Sequence, residues 1–219
     1  MKKYISFSLF GSSPKYLVGL KKNFDLIRKY YPGWKAVVYH DDSVPIDYLK
    51  EISANTKLIN MQGSILVATM WRFCVHDLPD VERFIIRDAD SRISEREVVA
   101  VKEWVDSGKQ MHIMRDHPHH GYVIMGGMWG MIPDKSFNME HACEDYIRRH
   151  GNTTKWSMTD MDFLRDDIYP RYGSNSKMHA TYAKIEPWAE DFTSPLIDRK
   201  FVGEIYSETE ERGPQYKIL

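Results

Sequence analysis

The sequence has few cysteines, no long apolar run and no recognisable export signal. Only two cysteines, Cys74 and Cys143, occur among 219 residues, which excludes a disulfide framework and favours a reducing compartment. No apolar stretch reaches the length of a transmembrane helix, and the first residues are too short and polar a run for a secretory signal peptide. We therefore expect a cytoplasmic protein without membrane insertion.

An excess of one charge sign is also missing. The chain has 30 Lys and Arg against 31 Asp and Glu, which gives a formal net charge of −1. Proteins that bind nucleic acids or membrane surfaces usually carry a strong basic excess, so no nucleic-acid partner is expected. Hydrophobic residues make up 42% and charged residues 28% of the chain, as is typical of globular proteins. Since no repeat, low-complexity tract or linker interrupts the chain, we predict a single domain over residues 1–219.

Apolar periodicity and turn residues predict alternating strands and helices in the first half of the chain. The predicted strands are residues 4–10, 34–39, 57–61, 84–86, 111–114, 122–125, 128–132 and 201–206. The predicted helices are residues 14–30, 48–52, 64–75, 95–105, 137–150 and 159–169. This alternation predicts an α/β fold with a central, mostly parallel mixed sheet flanked by helices.

Two carboxylates follow the most apolar of these strands. Asp88 and Asp90 come directly after the run 84–86, and in an extended chain their side chains point to the same side. Two like charges held so close repel each other unless a cation lies between them or a proton neutralises one. Oxygen ligands of this kind suit Mg²⁺ or Mn²⁺, which commonly bridge carboxylates to phosphates. The sequence therefore predicts a divalent metal site that also holds a diphosphate.

Other polar residues fall at the same edge of the predicted sheet. Gly11 follows the first strand, and Asp41 and Asp42 follow the second; ligands of such sheets gather at the carboxyl ends of strands. Arg72, on a predicted helix, could pair with a phosphate, or it could form a structural ion pair with an aspartate. Arg87 could likewise reach the ligand or simply balance local charge.

Three later segments carry further candidates. Gly126 and Gly127 interrupt an apolar run, which either a bulge or the close approach of a ligand would explain. Asp160 opens a predicted helix and is free to bind ligand hydroxyls, whereas Asp162 fits a helix cap. The histidines of the segment 117–120 suggest zinc, but no cysteine accompanies them and Pro118 separates them, so we expect a polar loop there.

Taken in order, these motifs resemble those of glycosyltransferases of the GT-A type, the nucleotide-diphospho-sugar transferase fold. Arg72, the Asp88–Asp90 pair, Gly126–Gly127 and Asp160–Asp162 keep the order seen in retaining galactosyl- and glucosyltransferases related to glycogenin. The segments 87–92, 114–118 and 126–130 are similar to a group of small bacterial and large-virus-encoded glycosyltransferases. The resemblance covers most of residues 4–206, and its central motifs are specific.

The resemblance implies a Rossmann-like GT-A domain that transfers a hexosyl or deoxyhexosyl group from a nucleoside diphosphate sugar, expected to be UDP-linked. The acceptor would be a hydroxyl of a glycan or glycoconjugate, the outcome retention, and the location bacterial or virus-infected host cytosol. Cofactor- and donor-binding roles fall on Ser8, Leu9, Phe10, Gly11, Asp41, Asp42, Arg72, Arg87, Asp88, Ala89, Asp90, Gly126 and Gly127.

The same resemblance implies the roles at the reacting end. Asp116 and Asp160 are the candidate catalytic residues, because they would meet the sugar hydroxyls. Mn²⁺ or Mg²⁺ would be held by Asp88, Asp90 and a late histidine, for which His179 is the only candidate after position 162, although it fits a core or surface histidine equally well. Met161 stands where the wider family has glutamine, so the role of that amide is not carried over.

Two other functions remain open on the sequence. An apolar strand followed by Asp-x-Asp-Ser also resembles the haloacid-dehalogenase phosphatases, in which Asp88 would be the nucleophile. That family has the motif near the chain start and needs a later acidic pair, for which only Asp166–Asp167 in a helix-like stretch is available. A non-catalytic carbohydrate-binding module would bind glycan without metal and would ignore UDP.

Overall fold

Seven strands of the computed structural model, which describes residues 1–54, 56–151 and 158–218, form one mixed sheet. The strands are β1 (Lys2–Leu9), β2 (Trp34–His40), β3 (Thr56–Asn60), β4 (Val81–Ile86), β5 (Met111–Arg115), β6 (Trp129–Met131) and β7 (Ser176–Ala180). Their order across the sheet is β3-β2-β1-β4-β6-β5-β7.

Most neighbouring strands run parallel. β1 pairs with β2 and β4, β2 pairs with β3, and β5 pairs with β7, all in parallel. β6 runs antiparallel to both of its neighbours and joins β4 to β5. The predicted α/β fold with a mostly parallel mixed sheet is therefore confirmed, and the carboxyl ends of β1, β2 and β4 lie side by side at one edge.

Helices cover both faces of this sheet. They are α1 (Pro14–Tyr30), α2 (Ile46–Ile52), α3 (Glu95–Ser107), α4 (Met139–His150), α5 (Thr159–Phe163) and α6 (Tyr169–Tyr172). The predicted helix 64–75 is a 3₁₀ segment, Ala68–Asp77, and a π-helical turn, Leu164–Ile168, joins α5 to α6. Within the described part of the chain, no helix is both long and apolar enough to span a bilayer.

Local sequence explains where the two long helices of one face begin and end. Ser13 caps α1 in an extended conformation, and Pro14 occupies its first turn, where a missing N–H leaves no bond unmade. Ser94 caps α3, because its Oγ accepts a hydrogen bond from the Glu97 N–H at 3.2 Å. Gly108 follows α3 with φ of +67°, a left-handed conformation that glycine adopts without strain.

Side chains of β4 alternate between two hydrophobic cores. Phe84 and Ile86 pack in the core that contains the 3₁₀ segment and α4, whereas Ile85 packs in the core that contains α1 and α3. All three side chains are fully buried. A strand covered on both faces reads as a continuous apolar run, which is the pattern that the sequence shows. The position of the acidic residues after β4 is therefore set by packing on both sides.

Three segments differ from the sequence prediction. Residues 122–125 form no strand, and residues 201–206 form only isolated bridges, Ser91 with Ile205 and Tyr206 with Arg212, instead of a strand. Gly203 has φ of +83°, which interrupts an extended chain. β7 was not predicted, because its sequence has no apolar alternation; its polar His179 is nevertheless buried among partners.

We expect Gly130→Ala to destabilise the fold. A Cβ at Gly130 would lie 2.6 Å from the Phe84 carbonyl oxygen and 2.8 Å from Ile85 Cγ2, and the carbonyl belongs to the β4–β6 ladder, so it cannot move away freely. Overpacking of this kind lowers the free energy of unfolding by about 1–3 kcal/mol, measurable by urea denaturation. Gly121→Ala is the control, because its Cβ would meet no atom within 4 Å. Equal stability of the two variants would contradict the prediction.

Candidate functional site

A cleft lies at the carboxyl ends of β1 and β4, and it consists of two adjoining cavities. The first cavity, of about 270 Å³, is lined by Ser8, Leu9, Phe10, Tyr16, Ala89 and Asp90. The second cavity, of about 360 Å³, is lined mainly by Met125, Gly126, Gly127, Asp160, Met161 and the histidines 117, 119 and 120. Both are lined by Thr69, Arg72, Asp88 and Ile205.

A larger cavity, of about 600 Å³, lies between α1, α3 and the segment 194–210. It contains none of the predicted site residues, whereas the cleft gathers most of them. The cleft also lies where ligands of open α/β sheets bind, and it holds carboxylates with perturbed pKa values. We therefore take the cleft, and not the larger cavity, as the candidate site.

Arg72 is the centre of the cleft. The 3₁₀ segment is fastened to β1 on both sides of this residue, because the Ser6 Oγ donates to the Arg72 carbonyl at 2.7 Å and the Ser8 Oγ accepts from the Arg72 N–H at 3.1 Å. The guanidinium, which is buried, donates to the Asp88 carboxylate and, at 3.3 Å, to Asp160 Oδ2. One arginine thus joins the carboxylates of two distant segments.

Both possible roles of Arg72 are compatible with this geometry. Burial works against the charge of Arg72, but Asp88 and Asp160 together raise the pKa of its guanidinium above the usual value. Its buried Nε has no hydrogen-bond partner among the described residues. The residue is an ion-pair partner, and it also lines both cavities, so a ligand phosphate there would meet a permanent positive charge.

Asp90 is the more buried acid of the pair. Burial and then the negative charge of Asp88 raise its pKa, and Lys15, whose Nζ lies 2.6 Å from Asp90 Oδ2, opposes the shift. Sequence reasoning missed Lys15. Its signal was its position in the first turn of α1, just after the loop at the carboxyl end of β1.

The two glycines make room for the acids. A Cβ at Gly127 would overlap the Asp88 carboxylate, and a Cβ at Gly126 would lie 2.6 Å from Asp160 Oδ2 and 3.0 Å from an Arg72 terminal nitrogen. These positions therefore exclude side chains because the carboxylates pack against the backbone, which is a reason that the sequence did not suggest.

Asp160 faces the second cavity from the start of α5. Burial and then the charge of Asp88 raise its pKa, while the adjacent Arg72 opposes the shift. Asp162 turns away and pairs with Arg165 at 2.7 Å. Met161, at the glutamine position of the resembling family, lines the cavity with an apolar side chain. Of the polar residues in this motif, Asp160 is thus the one presented to a ligand.

The predicted nucleotide-side residues gather at the ends of β1 and β2. The Gly11 N–H donates to the Ser43 Oγ at 2.6 Å, and the Asp41 carboxylate accepts from the same hydroxyl. Asp42 accepts from the Asn60 side chain at 2.9 Å. Phe10 is 43% exposed and stands edge-on to Trp71, with the ring centroids 6.1 Å apart. These loops form one polar rim with an accessible aromatic ring.

The structure places Asp116, predicted as a catalytic residue, inside the protein and not in the lining of the cleft. It is fully buried and forms a two-point ion pair with Arg96, at 2.7 and 2.8 Å. Its oxygens also accept from the Thr181 hydroxyl at 2.7 Å and the Val202 N–H at 2.9 Å. All its accepting positions are occupied by the protein, so this carboxylate supports the fold around the cleft and does not touch a ligand.

Arg87, predicted as a ligand-binding residue, also lies outside the lining of the cleft. It is 2% exposed, and its Nε donates to Glu97 at 2.7 Å. A terminal nitrogen donates to the carbonyls of Ile86 and Trp129 at 2.6 and 3.3 Å. The side chain therefore points into the core between β4 and α3, away from the cleft in which Asp88 lies.

His179, predicted as a metal ligand, lies apart from Asp88 and Asp90, which line the cleft. It is buried in β7, and its two ring nitrogens are paired with the His112 Nε2 at 2.9 Å and the Glu103 carboxylate at 2.6 Å. It lines neither cavity of the cleft. This placement favours the core interpretation of the histidine, which the sequence left open.

The remaining residues fit a divalent cation only together with a phosphate. Among residues 1–54, 56–151 and 158–218, no three metal-ligating side chains converge, and this includes the histidines of the segment 117–120. Magnesium-type ions are, however, commonly held by one or two carboxylates together with the phosphate oxygens of a substrate. Asp88 and Asp90 supply such a pair, and a cation would relieve the repulsion that raises the pKa of Asp90.

We expect Gly127→Ala to damage the site and not the fold. The added methyl group would displace the Asp88 carboxylate from Arg72, because the methyl group and the carboxylate would occupy the same space. Misplacing a group that orients a metal ligand lowers metal affinity about 10-fold or more, which calorimetry with Mn²⁺ and UDP would measure. Gly121→Ala should bind as the wild type does. Unchanged affinity of the Gly127→Ala protein would contradict this account.

The buried histidine pair should make stability depend on pH. Burial and then the neighbouring His179 hold the pKa of His112 well below its usual range. Between that low value and the unfolded pKa of about 6.5, the unfolded chain binds the proton that the folded chain refuses, so stability is full above this window and falls as pH falls. His112→Asn should flatten the fall between pH 6 and pH 5 by up to about 1.4 kcal/mol per pH unit in urea denaturation. His141→Asn, which removes an exposed histidine, should leave the pH dependence of stability unchanged. Equal slopes of stability against pH for His112→Asn and wild type would contradict the assignment.

Comparisons with known proteins bear on the fold of this chain. No protein-family model and no curated protein sequence matches it. Among solved structures, the glycosyltransferase GlyE of Streptococcus pneumoniae TIGR4 matches with a TM-score of 0.51 at 12% identity, over 80% of this chain and 44% of that one. An active-site mutant of LgtC matches with a TM-score of 0.50 at 14% identity, over 90% of this chain and 89% of that one.

A third match, the glycosyltransferase involved in glycosylation of the major capsid of PBCV-1, has a TM-score of 0.49 at 13% identity and covers 82% of both chains. This chain spans less than half the length of GlyE and most of the length of LgtC. At such identities a likeness informs about architecture and leaves activity open. The chain has the fold of the glycosyltransferases that it resembles, a GT-A-type α/β fold with one mixed sheet.

Proposed function

We propose that this chain is a metal-dependent glycosyltransferase that moves a hexosyl or deoxyhexosyl group from a nucleoside diphosphate sugar to a hydroxyl of a glycan or glycoconjugate. The observation that carries the proposal is the position of Asp88 and Asp90. They lie at the tip of a central strand in a cleft, beside a buried arginine, on a fold shared with glycosyltransferases.

The diphosphate would lie where the two cavities adjoin. Asp88 and Asp90 would hold Mn²⁺ or Mg²⁺ there together with the phosphates. When bound, the ion would neutralise the charge that develops on the leaving diphosphate. Arg72 reaches the same place with a charge that does not depend on pH. Lys15 pairs with Asp90 and would pair with the phosphates instead when a cation binds the Asp90 carboxylate.

The nucleoside would bind in the first cavity. Phe10 offers an exposed ring for stacking, and the Asp41 and Asp42 carboxylates at the adjacent rim can accept a hydrogen bond from a base N–H. Uracil has such a group, which supports UDP as the nucleotide. Ser8, Leu9 and Phe10 line this cavity.

The sugar would occupy the second cavity. Asp160 there would accept hydrogen bonds from hydroxyl groups, and Arg72 opposes the rise of its pKa that burial causes. Gly126 and Gly127 also line this cavity, and the absence of their side chains leaves room for the Asp160 and Asp88 carboxylates beside the sugar. An inverting transfer needs a base, and Asp116 is enclosed in the protein. Asp160 is a weak candidate for this base because it is paired with Arg72. A retaining transfer needs no fixed base, because the leaving phosphate can take the proton, and we include retention in the proposal.

Two broader expectations belong to the same proposal. The chain would act as one glycosyltransferase domain, since a single sheet supplies both cavities of the cleft. It would work in a reducing, cytoplasmic compartment, since Cys74 and Cys143 are both buried free thiols.

The phosphatase alternative receives no support from its required acidic pair. Asp166 pairs with Arg165 at 2.7 Å, and Asp167 pairs with Arg149 at 2.7 Å. Neither residue lines the cleft in which Asp88 lies. A phosphatase of that family would need such carboxylates beside its nucleophile to hold its metal.

We expect Asp88→Asn and Asp90→Asn to abolish metal-dependent nucleotide binding. In wild-type protein, Mn²⁺ together with UDP or a UDP-sugar should raise the melting temperature, whereas either alone should raise it little, because the carboxylates and the diphosphate share the ion. Each variant should lose at least about 10-fold in affinity for UDP with Mn²⁺ in calorimetry while it stays folded.

Asp166→Asn is the matched control, since it removes a carboxylate outside the cleft and should leave nucleotide affinity unchanged. Undiminished affinity in Asp88→Asn and Asp90→Asn would remove the proposal. Phosphate release from a phosphomonoester, lost in Asp88→Asn, would indicate the phosphatase instead. Glycan binding that needs neither metal nor UDP would indicate a carbohydrate-binding module.

A further inference from the structure

His120 lies in the wall of the second cavity with one ring nitrogen committed to the protein. The Asp116 N–H donates to its Nδ1 at 3.0 Å. Because Nδ1 accepts this hydrogen bond, the ring proton of the neutral imidazole is on Nε2. The residue is 8% exposed, so more than nine-tenths of it is buried.

The ring stays neutral at physiological pH. Burial and then the neighbouring His117 lower the pKa of His120 to about 4, against the weaker pull of Asp116 and Asp88 in the other direction. A protonated ring would also present an N–H at Nδ1 to the Asp116 N–H, which is a clash of two donors. His120 is therefore a fixed hydrogen-bond donor, and it is a poor general base.

The support behind His120 is rigid. The Asp116 carboxylate is held by Arg96, Thr181 and the Val202 N–H, as described above. The Phe201 ring packs against His120, with the centroids 5.7 Å apart. This network fixes the backbone N–H that selects the tautomer, and it gives the enclosed Asp116 a role in orienting the ring.

His117 and His120 are both buried, but of the two only His120 has a ring nitrogen without a hydrogen-bond partner among the described residues. The His117 Nδ1 accepts from the His119 N–H at 3.0 Å, and its Nε2 is paired with the Gln215 carbonyl at 3.0 Å. His119 is exposed. The His120 Nε2 has no hydrogen-bond partner among the described residues, yet the residue lines the cavity that holds Asp160 and Gly126.

We propose that His120 is a positioning residue for the transferred sugar, whose Nε2–H donates a hydrogen bond to a hydroxyl oxygen of that sugar in the second cavity. Asp160 accepts from hydroxyl groups and His120 donates to one, so the two give the cavity both hydrogen-bonding polarities that a sugar requires. This inference rests on the proposed function, because it needs a nucleoside diphosphate sugar in the cleft.

The test compares a nucleoside diphosphate with its sugar derivatives. Calorimetry with Mn²⁺ would give the dissociation constants of UDP, UDP-glucose, UDP-galactose and GDP-mannose for wild type and His120→Asn. The asparagine retains an acceptor near Nδ1 for the Asp116 N–H and lacks the distant donor. The variant should bind the preferred nucleotide sugar about 3- to 10-fold more weakly, as expected for one lost neutral hydrogen bond, and should bind the corresponding nucleoside diphosphate within about twofold of wild type.

His120→Gln is the rescue variant, since its amide can place an N–H near the position of Nε2. It should recover most of the affinity for the nucleotide sugar that His120→Asn loses. His141→Asn, an exposed histidine on α4, is the matched control and should bind all ligands as wild type does. Melting temperatures of all variants would confirm that they are folded.

The outcomes separate this proposal from the proposed function. If wild type binds UDP or a nucleotide sugar with Mn²⁺, but His120→Asn loses nothing or loses equally for the diphosphate and its sugar, the role of His120 is overturned and the proposed function stands. If wild type binds no nucleotide with Mn²⁺, both are overturned.

A second measurement observes the His120 ring directly. Nitrogen-15 NMR of the histidine rings, with the His120 signals assigned by difference from His120→Asn, should show a neutral ring protonated on Nε2 at pH 7. The Nε2 signal should shift when the preferred nucleotide sugar is added and stay in place when the diphosphate alone is added. A ring protonated on Nδ1 at pH 7 would overturn the proposal.

Discussion

The candidate site depends on one buried guanidinium. The positive charge of Arg72 pairs with two carboxylates, those of Asp88 at the end of β4 and Asp160 at the start of α5. Burying Arg72 or Asp160 alone would be costly, but they pair with each other, and the partly exposed Asp88 adds a second carboxylate to the arginine. The arginine can occupy this place only because the hydroxyls of Ser6 and Ser8 fasten its backbone to β1 and because Gly126 and Gly127 leave space for the two carboxylates. The fold therefore brings positive charge and acids together at the point where two cavities adjoin.

The carboxylates of this arrangement repel one another, which is common in functional sites. Asp90 and Asp160 both have pKa values raised by burial, and Asp88 adds repulsion to each. Lys15 and Arg72 offset part of that repulsion. In the proposed function, a divalent ion with a diphosphate would complete the balance of charge. The same residues that destabilise the free site would then bind the ligand.

Three predicted site residues, Arg87, Asp116 and His179, are paired with other residues of the protein and do not line the cleft. Arg87 is paired with Glu97, Asp116 with Arg96, and the rings of His179 and His112 with each other. Each belongs to a residue type that also performs chemistry, and two of them lie in or beside the motifs that suggested the site. What separates them from Asp88 is the direction of the side chain and the number of protein partners. Asp116 illustrates how such a residue still matters, since its backbone N–H sets the tautomer of His120.

The sequence alone determined the α/β class, most strands and helices, and the strand that ends in Asp88 and Asp90, because apolar periodicity and caps are local signals. It also identified Arg72, Gly126, Gly127 and Asp160 through motif order, though not the contacts among them. Only the tertiary structure decided that Asp116, Arg87 and His179 are enclosed, that β7 exists and that Lys15 reaches Asp90. These facts depend on partners far away in the chain, such as Arg96 for Asp116 and Glu103 for His179. Whether a charged side chain meets water, a ligand or another residue is a property of three-dimensional packing, and local patterns do not record it.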